Sequence, residues 1–332
     1  MLQLKTMLTK ERPRIDRALL EIINDLPEYV RPVAEYAVLS GGKKLRPSLA
    51  VFTAYALGCD CEKMSVHRIC STLEMFHVAT LLHDDILDNA EIRRNHMATH
   101  IKFGTPRTLL AADAMVAQSF KILSETNDPK FMQCLTGAVI GTADGEIAEI
   151  AQTGQVKRGL NEYLQIIKGK TASLIRASCE LGALCAGADE DILECAREYG
   201  ENVGIAFQIV DDALDFAPSS DIGKPSCGDL REGKFTPPIA YYYLNNLNEN
   251  EQNDFAMKFA NLSFTESDLT DIASKIIGCG FDAKTRELSD KYLNVARYAL
   301  DRMRKGFGSS PSALLARGAL YEAVDFIRAR KS

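Results

Sequence analysis

No tryptophan occurs in the 332 residues, and β-branched residues seldom alternate with polar ones. Strands need that period of two, so a sheet-based fold is disfavoured. No apolar run reaches the ~20 residues that cross a bilayer, and the charged stretch with Lys5, Lys10, Glu11, Arg12 and Arg14 does not read as a signal peptide. A soluble, cytoplasmic protein is expected. A basic excess is missing too: 39 Lys and Arg stand against 45 Asp and Glu, a formal charge of -6. That balance argues against a general nucleic-acid binder, because polyanion contact would have to be local. The nine cysteines stand singly except for Cys59 and Cys61, with no second Cys or His pair at zinc spacing nearby. They suit a reducing compartment better than a disulfide framework or a zinc site. A Ser-His-Asp or Cys-His nucleophile is not evident.

What is present is a 46% hydrophobic fraction, ample for a core, arranged mostly at a 3.6-residue period. Helices are expected over 14 to 38, 46 to 57, 64 to 90, 105 to 124, 129 to 153, 160 to 186, 188 to 217, 234 to 245, 249 to 261, 266 to 277, 281 to 305 and 310 to 330. The fold class is therefore all-α, a helical bundle forming a single domain over residues 1–332. The segments 64 to 90 and 188 to 217 are apolar around most of their circumference, as helices in the middle of a bundle are. Their acidic ends are expected to face each other across a central cavity. Residues 217 to 233 hold Pro218, Gly223, Pro225 and Gly228, and read as a functional loop of the lid kind.

Those acidic ends carry the same pentad, Asp84-Asp85-Ile86-Leu87-Asp88 and Asp211-Asp212-Ala213-Leu214-Asp215. At about 100° per residue, positions one, two and five fall within roughly a 100° arc, so three carboxylates share one face and repel. Asn89 and Pro218 suggest that both lie near helix C-termini, where the macrodipole adds to the penalty. A cation is called for. Oxygen ligands without imidazole or thiolate favour Mg²⁺, which commonly bridges carboxylates to a substrate phosphate. Cations suited to phosphate recur between and after the clusters: Lys43, Lys44 and Arg46 beside Gly41-Gly42, then Arg93-Arg94, Lys168 and Lys170, Lys224 and Lys234. Taken singly each has a plainer reading: a solvated helix end, a surface loop, arginines paired with Asp88 and Glu91, or, for His77, a core histidine. Two matched acidic clusters with interleaved cations weigh against it.

The segments GGKKLRP at 41 to 47, HVATLLHDDILD at 77 to 88, RR at 93 to 94, GKTASL at 169 to 174, FQIVDDALD at 207 to 215, GKP at 223 to 225 and DLREGKFTPP at 229 to 238 resemble those of the trans-polyprenyl diphosphate synthases. The resemblance spans nearly the whole chain and implies the isoprenoid synthase type of helical bundle. It implies that Asp84, Asp85, Asp88, Asp211, Asp212 and Asp215 bind Mg²⁺, three ions in the family, with the allylic diphosphate. Arg93, Lys170, Thr171, Gln208, Lys224 and Lys234 would complete that cradle. Isopentenyl diphosphate would be anchored without metal by Lys43, Arg46, His77 and Arg94. The implied reaction is ionisation of the allylic diphosphate, attack by the isopentenyl double bond and loss of a proton, in a homodimer.

Three departures affect backbone geometry alone: Asn95 and Ala112 stand where the family usually has Gly, and Gly228 is shifted by one. Glu146 and Glu149 stand where it often has Gln or another polar residue. Family chain length is limited below the first aspartate cluster, where Ala79 and Thr80 are small here. Phe76, one turn deeper, or a facing Phe120 would then form the floor. A product of C20 or longer, C25 to C40 by this reasoning, is expected. The alternatives are a class I terpene synthase, which would carry an Asn/Ser/Glu metal motif at the second site, and a non-catalytic subunit of a heteromeric prenyltransferase, which would lack one cluster.

Overall fold

A computed structural model describes residues 1–60, 64–217 and 227–330, and the chain is 79% helical. The helices are α1 (Leu2–Asn24), α2 (Arg31–Leu39), α3 (Leu45–Ala56), α4 (Met64–Leu87), α5 (Thr99–Phe103), α6 (Thr105–Ser124), α7 (Pro129–Gln152), α8 (Asn161–Ile167), α9 (Ser173–Cys185), α10 (Glu190–Leu214), α11 (Gly228–Arg231), α12 (Pro237–Asn246), α13 (Glu249–Ala260), α14 (Glu266–Gly278), α15 (Phe281–Met303) and α16 (Pro311–Ala329). A two-residue hairpin pairs β1 (Ile92–Arg93) with β2 (His96–Met97).

The helix expected over 14 to 38 is in fact two. Leu4, Met7, Ile15, Leu19 and Ile22 are buried along one face of α1, and this apolar stripe carries the helix through Pro13. The chain breaks ahead of Pro27, which disfavours helical backbone at Leu26. The segment 160 to 186 is also interrupted, by a π-helical turn at Lys168–Ala172. Residues 218–226, the middle of the expected lid, lie outside the described residues, as do Cys61 and Lys224. Asn248 and Thr265 each close a capping box, which fixes the starts of α13 and α14.

Two compact units are distinguished: Met1–Gly137 with Leu174–Arg197 and Leu300–Glu322, and Ala138–Ser173 with Glu198–Ala299 and Ala323–Ser332. In the first, α4 packs against α1, α3 and α6. Its core gathers Ile15, Leu19, Ile22, Met75, Ala79, Ala112 and Met115. Gly182 of α9 lets that helix meet α3, since a Cβ there would stand 2.1 Å from Ala50 O. In the second, Phe216, Leu230, Tyr242, Phe255, Phe259 and Ile276 form one cluster. Tyr163, Ile167, Ala172, Ile205 and Ile209 form another beneath the π-helical turn. No described helix is long and apolar enough to cross a membrane.

Candidate active site

In the first unit, α4 ends at Leu87, and Asn89 takes φ 51°, the left-handed conformation that stops a helix. Asp84 and Asp85 thus occupy the last turn and Asp88 follows it, at the end where the carbonyl dipoles repel carboxylates. The expected C-terminal placement is what is found. Asp85 is buried, Asp84 half-buried and Asp88 exposed. Arg93 donates from Nε to Asp85 Oδ1 at 2.6 Å, so its carboxylate partner is Asp85. The hairpin turn puts Arg94 at φ 51° and Asn95 at φ 63°, both left-handed as a two-residue turn of the primed kind requires. Asn tolerates that conformation, which accounts for its standing in place of Gly.

The same hairpin supports the glycine loop. Arg94 donates from Nη1 to Gly41 O at 2.6 Å, and Arg12 to Gly42 O at 3.0 Å. Gly42 has φ 107°, a conformation that demands glycine, and a Cβ there would meet Arg94 Nη1 at 2.6 Å and displace that guanidinium. Lys44 is buried against Glu74 at 3.4 Å and donates to Val38 O at 2.9 Å, a structural role. Lys43 is exposed, and Arg46 has a buried Nε without a hydrogen-bond partner. Burial, then the charges of Arg46, Arg94, Lys44 and Arg93, hold His77 well below the usual imidazole range. The expected isopentenyl ligands Arg46, His77 and Arg94 are thus brought within electrostatic reach of one another. Of the chain-length residues, Phe76 is buried and Thr80 is half-buried, donating to His77 O at 2.8 Å. Ala79 points elsewhere, into the core beside Met75 and Met115.

In the second unit, α10 ends at Leu214, which puts Asp211 and Asp212 in its last turn and Asp215 just beyond. Asp211 pairs with Arg330 at 2.8 Å, and that guanidinium lies 5.0 Å from the centre of the Phe207 ring. Asp212 is buried and accepts from Tyr163 Oη at 2.5 Å and Gln208 Nε2 at 2.8 Å. Gln208 Oε1 accepts in turn from Thr171 Oγ1 at 2.9 Å. Burial, with Asp211 and Asp215 adding to it against these hydrogen bonds, raises the Asp212 carboxyl to about 7. Asp215 accepts from the backbone N–H groups of Gly228 at 3.0 Å and Asp229 at 3.1 Å.

Lys170 rides on the π-helical turn, the kind of helix irregularity often found at functional sites. Its backbone presses on α7: a Cβ on Gly145 would lie 2.3 Å from Lys170 N, and one on Gly169 2.7 Å from Gly141 O. The glycines bring the Lys170 ammonium to Glu146 Oε2 at 2.9 Å and Glu149 Oε1 at 2.6 Å. Lys234 reaches Glu149 at 3.5 Å and Glu232 at 2.6 Å. These pairings of the two expected phosphate lysines were not foreseen. A cavity of about 140 Å³ is lined by Lys170, Thr171, Gln208, Asp212 and Lys234, together with Glu149, Tyr163 and Asp229.

Tyr163 and Asp229 were missed from the sequence. Tyr163 carries no local motif. Asp229 heads the segment DLREGK, a signal that could have found it; burial, then Asp212 and Asp215, push its carboxyl well up, and its Oδ2 is buried without a partner. Among the described residues, no three His, Cys, Asp or Glu side chains converge closely enough to hold an ion alone.

Residues 27–275 match the family model described as Polyprenyl synthetase. The chain is 31% identical over 304 residues to heptaprenyl diphosphate synthase component 2 of Bacillus subtilis (strain 168), covering 91% of this chain and 85% of that protein. It is 32% identical over 298 residues to the geranylgeranyl diphosphate synthase of Methanosarcina mazei, covering 87% and 89%. Its fold superposes with TM-score 0.87 and 31% identity on the polyprenyl synthase of Caulobacter crescentus CB15, crystallised with calcium and isoprenyl diphosphate, over 99% and 98% of the two chains. The chain therefore belongs to the polyprenyl synthetase family, and it is a prenyltransferase that makes prenyl diphosphates.

Proposed function

We propose that the chain, working as one synthase domain over residues 1–332, condenses an allylic diphosphate with isopentenyl diphosphate, in a Mg²⁺-dependent head-to-tail elongation to C20 or longer. One observation carries this reading. Asp212 is buried between two further aspartates at the carbonyl end of a helix, in a cavity that also presents Lys170 and Lys234. Each aspartate cluster fits a hard divalent ion: Asp84, Asp85 and Asp88 in the first unit, and Asp211, Asp212 and Asp215 in the second, offer only oxygen, and diphosphate oxygens and water would complete such a shell. When bound, Mg²⁺ neutralises the charge that develops on the leaving diphosphate. The crystallised Caulobacter relative with its calcium and isoprenyl diphosphate supports a divalent ion here.

The chain's own residues do the rest. Tyr163 and Gln208 orient Asp212, and Thr171 orients Gln208. Lys170, Lys234, Lys224 and Arg93 bind the allylic diphosphate. In the first unit, the unpartnered Nε of Arg46 and the cations around His77 suit a second diphosphate held without metal, with Lys43 and Arg94. Neutral His77 donates a hydrogen bond there without competing for a proton. Phe76 sets the floor for chain length, and C25 to C40 is the expected product. The exposed Ile140 and Ile147 on α7 suit a homodimer contact. A cytoplasmic location fits the free thiols among the described cysteines.

The component 2 in the Bacillus relative's name favours one variant, in which this chain works with a second polypeptide. Purified protein given farnesyl diphosphate, labelled isopentenyl diphosphate and Mg²⁺ separates the readings. Label in a C20 or longer product supports the proposal. Diphosphate release without isopentenyl consumption indicates a terpene synthase, and no turnover until a partner is added indicates the two-component variant.

A further inference from the structure

Both lysines of the cluster around Lys170 are paired with carboxylates. Two ammonium groups, Lys170 and Lys234, meet two carboxylates of α7, Glu146 and Glu149, with Glu149 Oε1 shared between both lysines at 2.6 and 3.5 Å. Glu232, on the exposed side of Lys234, adds a third carboxylate at 2.6 Å. Burial pulls the Lys170 pKa down, and Glu149 and Glu146 more than offset it, so the ammonium stays charged and paired. Around the cavity, Lys157, Lys170 and Lys234 face Glu149, Asp212 and Asp229. A diphosphate arriving without metal meets two lysines, Lys170 and Lys234, whose charge glutamates already counter.

We propose that Glu149, with Glu146, acts as a specificity-determining counterion that closes this pocket to metal-free diphosphate. It rests on the functional reading above, in which this cavity takes the allylic diphosphate. The two glutamates neutralise the lysines that a polyanion would otherwise seize, so attraction appears only when the diphosphate arrives as its divalent-metal complex. The carboxylates of the same pocket attract the metal, and the lysines then turn from Glu149 to the phosphate oxygens. Lys170 is held for this by geometry, because the contact of Gly145 with the π-helical turn fixes its backbone against α7. At an effective dielectric of about 20, a unit charge roughly 6 Å away is a strong enough field to alter anion affinity by tenfold or more.

The probe is inorganic diphosphate, titrated calorimetrically into wild type, Glu149→Gln, Glu146→Gln and Glu149→Asp, each with Mg²⁺ and with excess chelator. Wild type is expected to bind one diphosphate without metal, at the Arg46 and His77 site, and a second, in the Lys170 cavity, only with Mg²⁺. At that second site Glu149→Gln should bind metal-free diphosphate about tenfold more tightly than wild type, Glu146→Gln should change in the same direction, and Glu149→Asp should restore wild-type exclusion. Thermal melts establish that each variant is folded, and if Glu149→Gln is not, Glu146→Gln carries the test. Unchanged metal-free affinity in the folded glutamine variants, with Mg²⁺-dependent binding intact in wild type, overturns this inference and leaves the pocket's assignment standing. Absence of any Mg²⁺-dependent second site in wild type overturns both.

Discussion

Tyr163 donates its phenolic hydrogen to Oδ2 of Asp212 at 2.5 Å, and Gln208 donates to Oδ1 of the same carboxylate at 2.8 Å. Both oxygens of a buried acid are thereby oriented before any ligand arrives. A metal ligand with a fixed orientation binds more tightly than one that must be ordered, and outer partners of ligands commonly contribute 10- to 100-fold.

Tyr163→Phe keeps the ring and removes the donor. The variant should need about tenfold more Mg²⁺ for half-maximal turnover, a typical effect of losing such a partner. Its unfolding free energy should fall by about 1–3 kcal/mol. Magnesium titration of isopentenyl incorporation, with a urea melt alongside, checks both.

Gly42→Ala puts a methyl group 2.6 Å from Arg94 Nη1 at a backbone φ of 107°. Arg94 must move or the loop must unwind. The expected result is a KM for isopentenyl diphosphate raised about tenfold, equivalent to about 1.4 kcal/mol, with the KM for the allylic substrate unchanged. Steady-state kinetics with each substrate varied in turn reads this directly.

Gly145→Ala drives a Cβ to 2.3 Å from Lys170 N, against backbone that cannot rotate away. Overpacking of this kind typically costs about 1–3 kcal/mol. The thermal midpoint should drop and turnover with it, whereas Gly137→Ala on the same helix, where the added carbon meets no neighbouring element within 4 Å, should be neutral or slightly stabilising.

Long periodic helices were legible because their burial is written in local spacing: α6 covers residues 105 to 124 as expected, and α13 differs from its expected span by one residue. The two aspartate clusters were legible for the same reason, with Asn89 ending α4 where a left-handed residue should. The helix expected over 14 to 38 begins too late and runs too far. Pro13 is overridden by the buried stripe, and Pro27 ends a helix that periodicity carried on to residue 38. The hairpin at Ile92–Met97 is too short to show an alternating pattern. Tyr163 and the lysine–glutamate pairs depend on which helices meet, and the meeting is decided by glycine contacts such as Gly145 with Gly169, which no local spacing announces.

His77 is held neutral by burial and by four neighbouring cations. Its folded pKa is depressed, so below about pH 6.5 the unfolded chain takes up a proton that the folded chain refuses. The histidine's contribution to stability is thus complete above that pH and is lost as pH falls toward the folded value, by up to about 1.4 kcal/mol per unit. Urea midpoints for wild type and His77→Gln at several pH values between 7.5 and 5 should converge or cross as pH falls. Parallel curves would remove His77 from the cation cluster.

On the proposed function, divalent ions make the carboxylates at the end of α10 tolerable beside a diphosphate. The most direct measurement is the thermal midpoint of the wild type with Mg²⁺ and inorganic diphosphate together, with each alone, and with chelator. A ligand at a hundredfold excess over its Kd stabilises by about 2.7 kcal/mol. The midpoint should therefore rise clearly further with the pair than with diphosphate alone, which reaches the metal-free site, and little with Mg²⁺ alone, and the extra rise should be lost in Asp212→Asn. A rise with Mg²⁺ and diphosphate together no larger than with diphosphate alone, or an undiminished extra rise in Asp212→Asn, would contradict it.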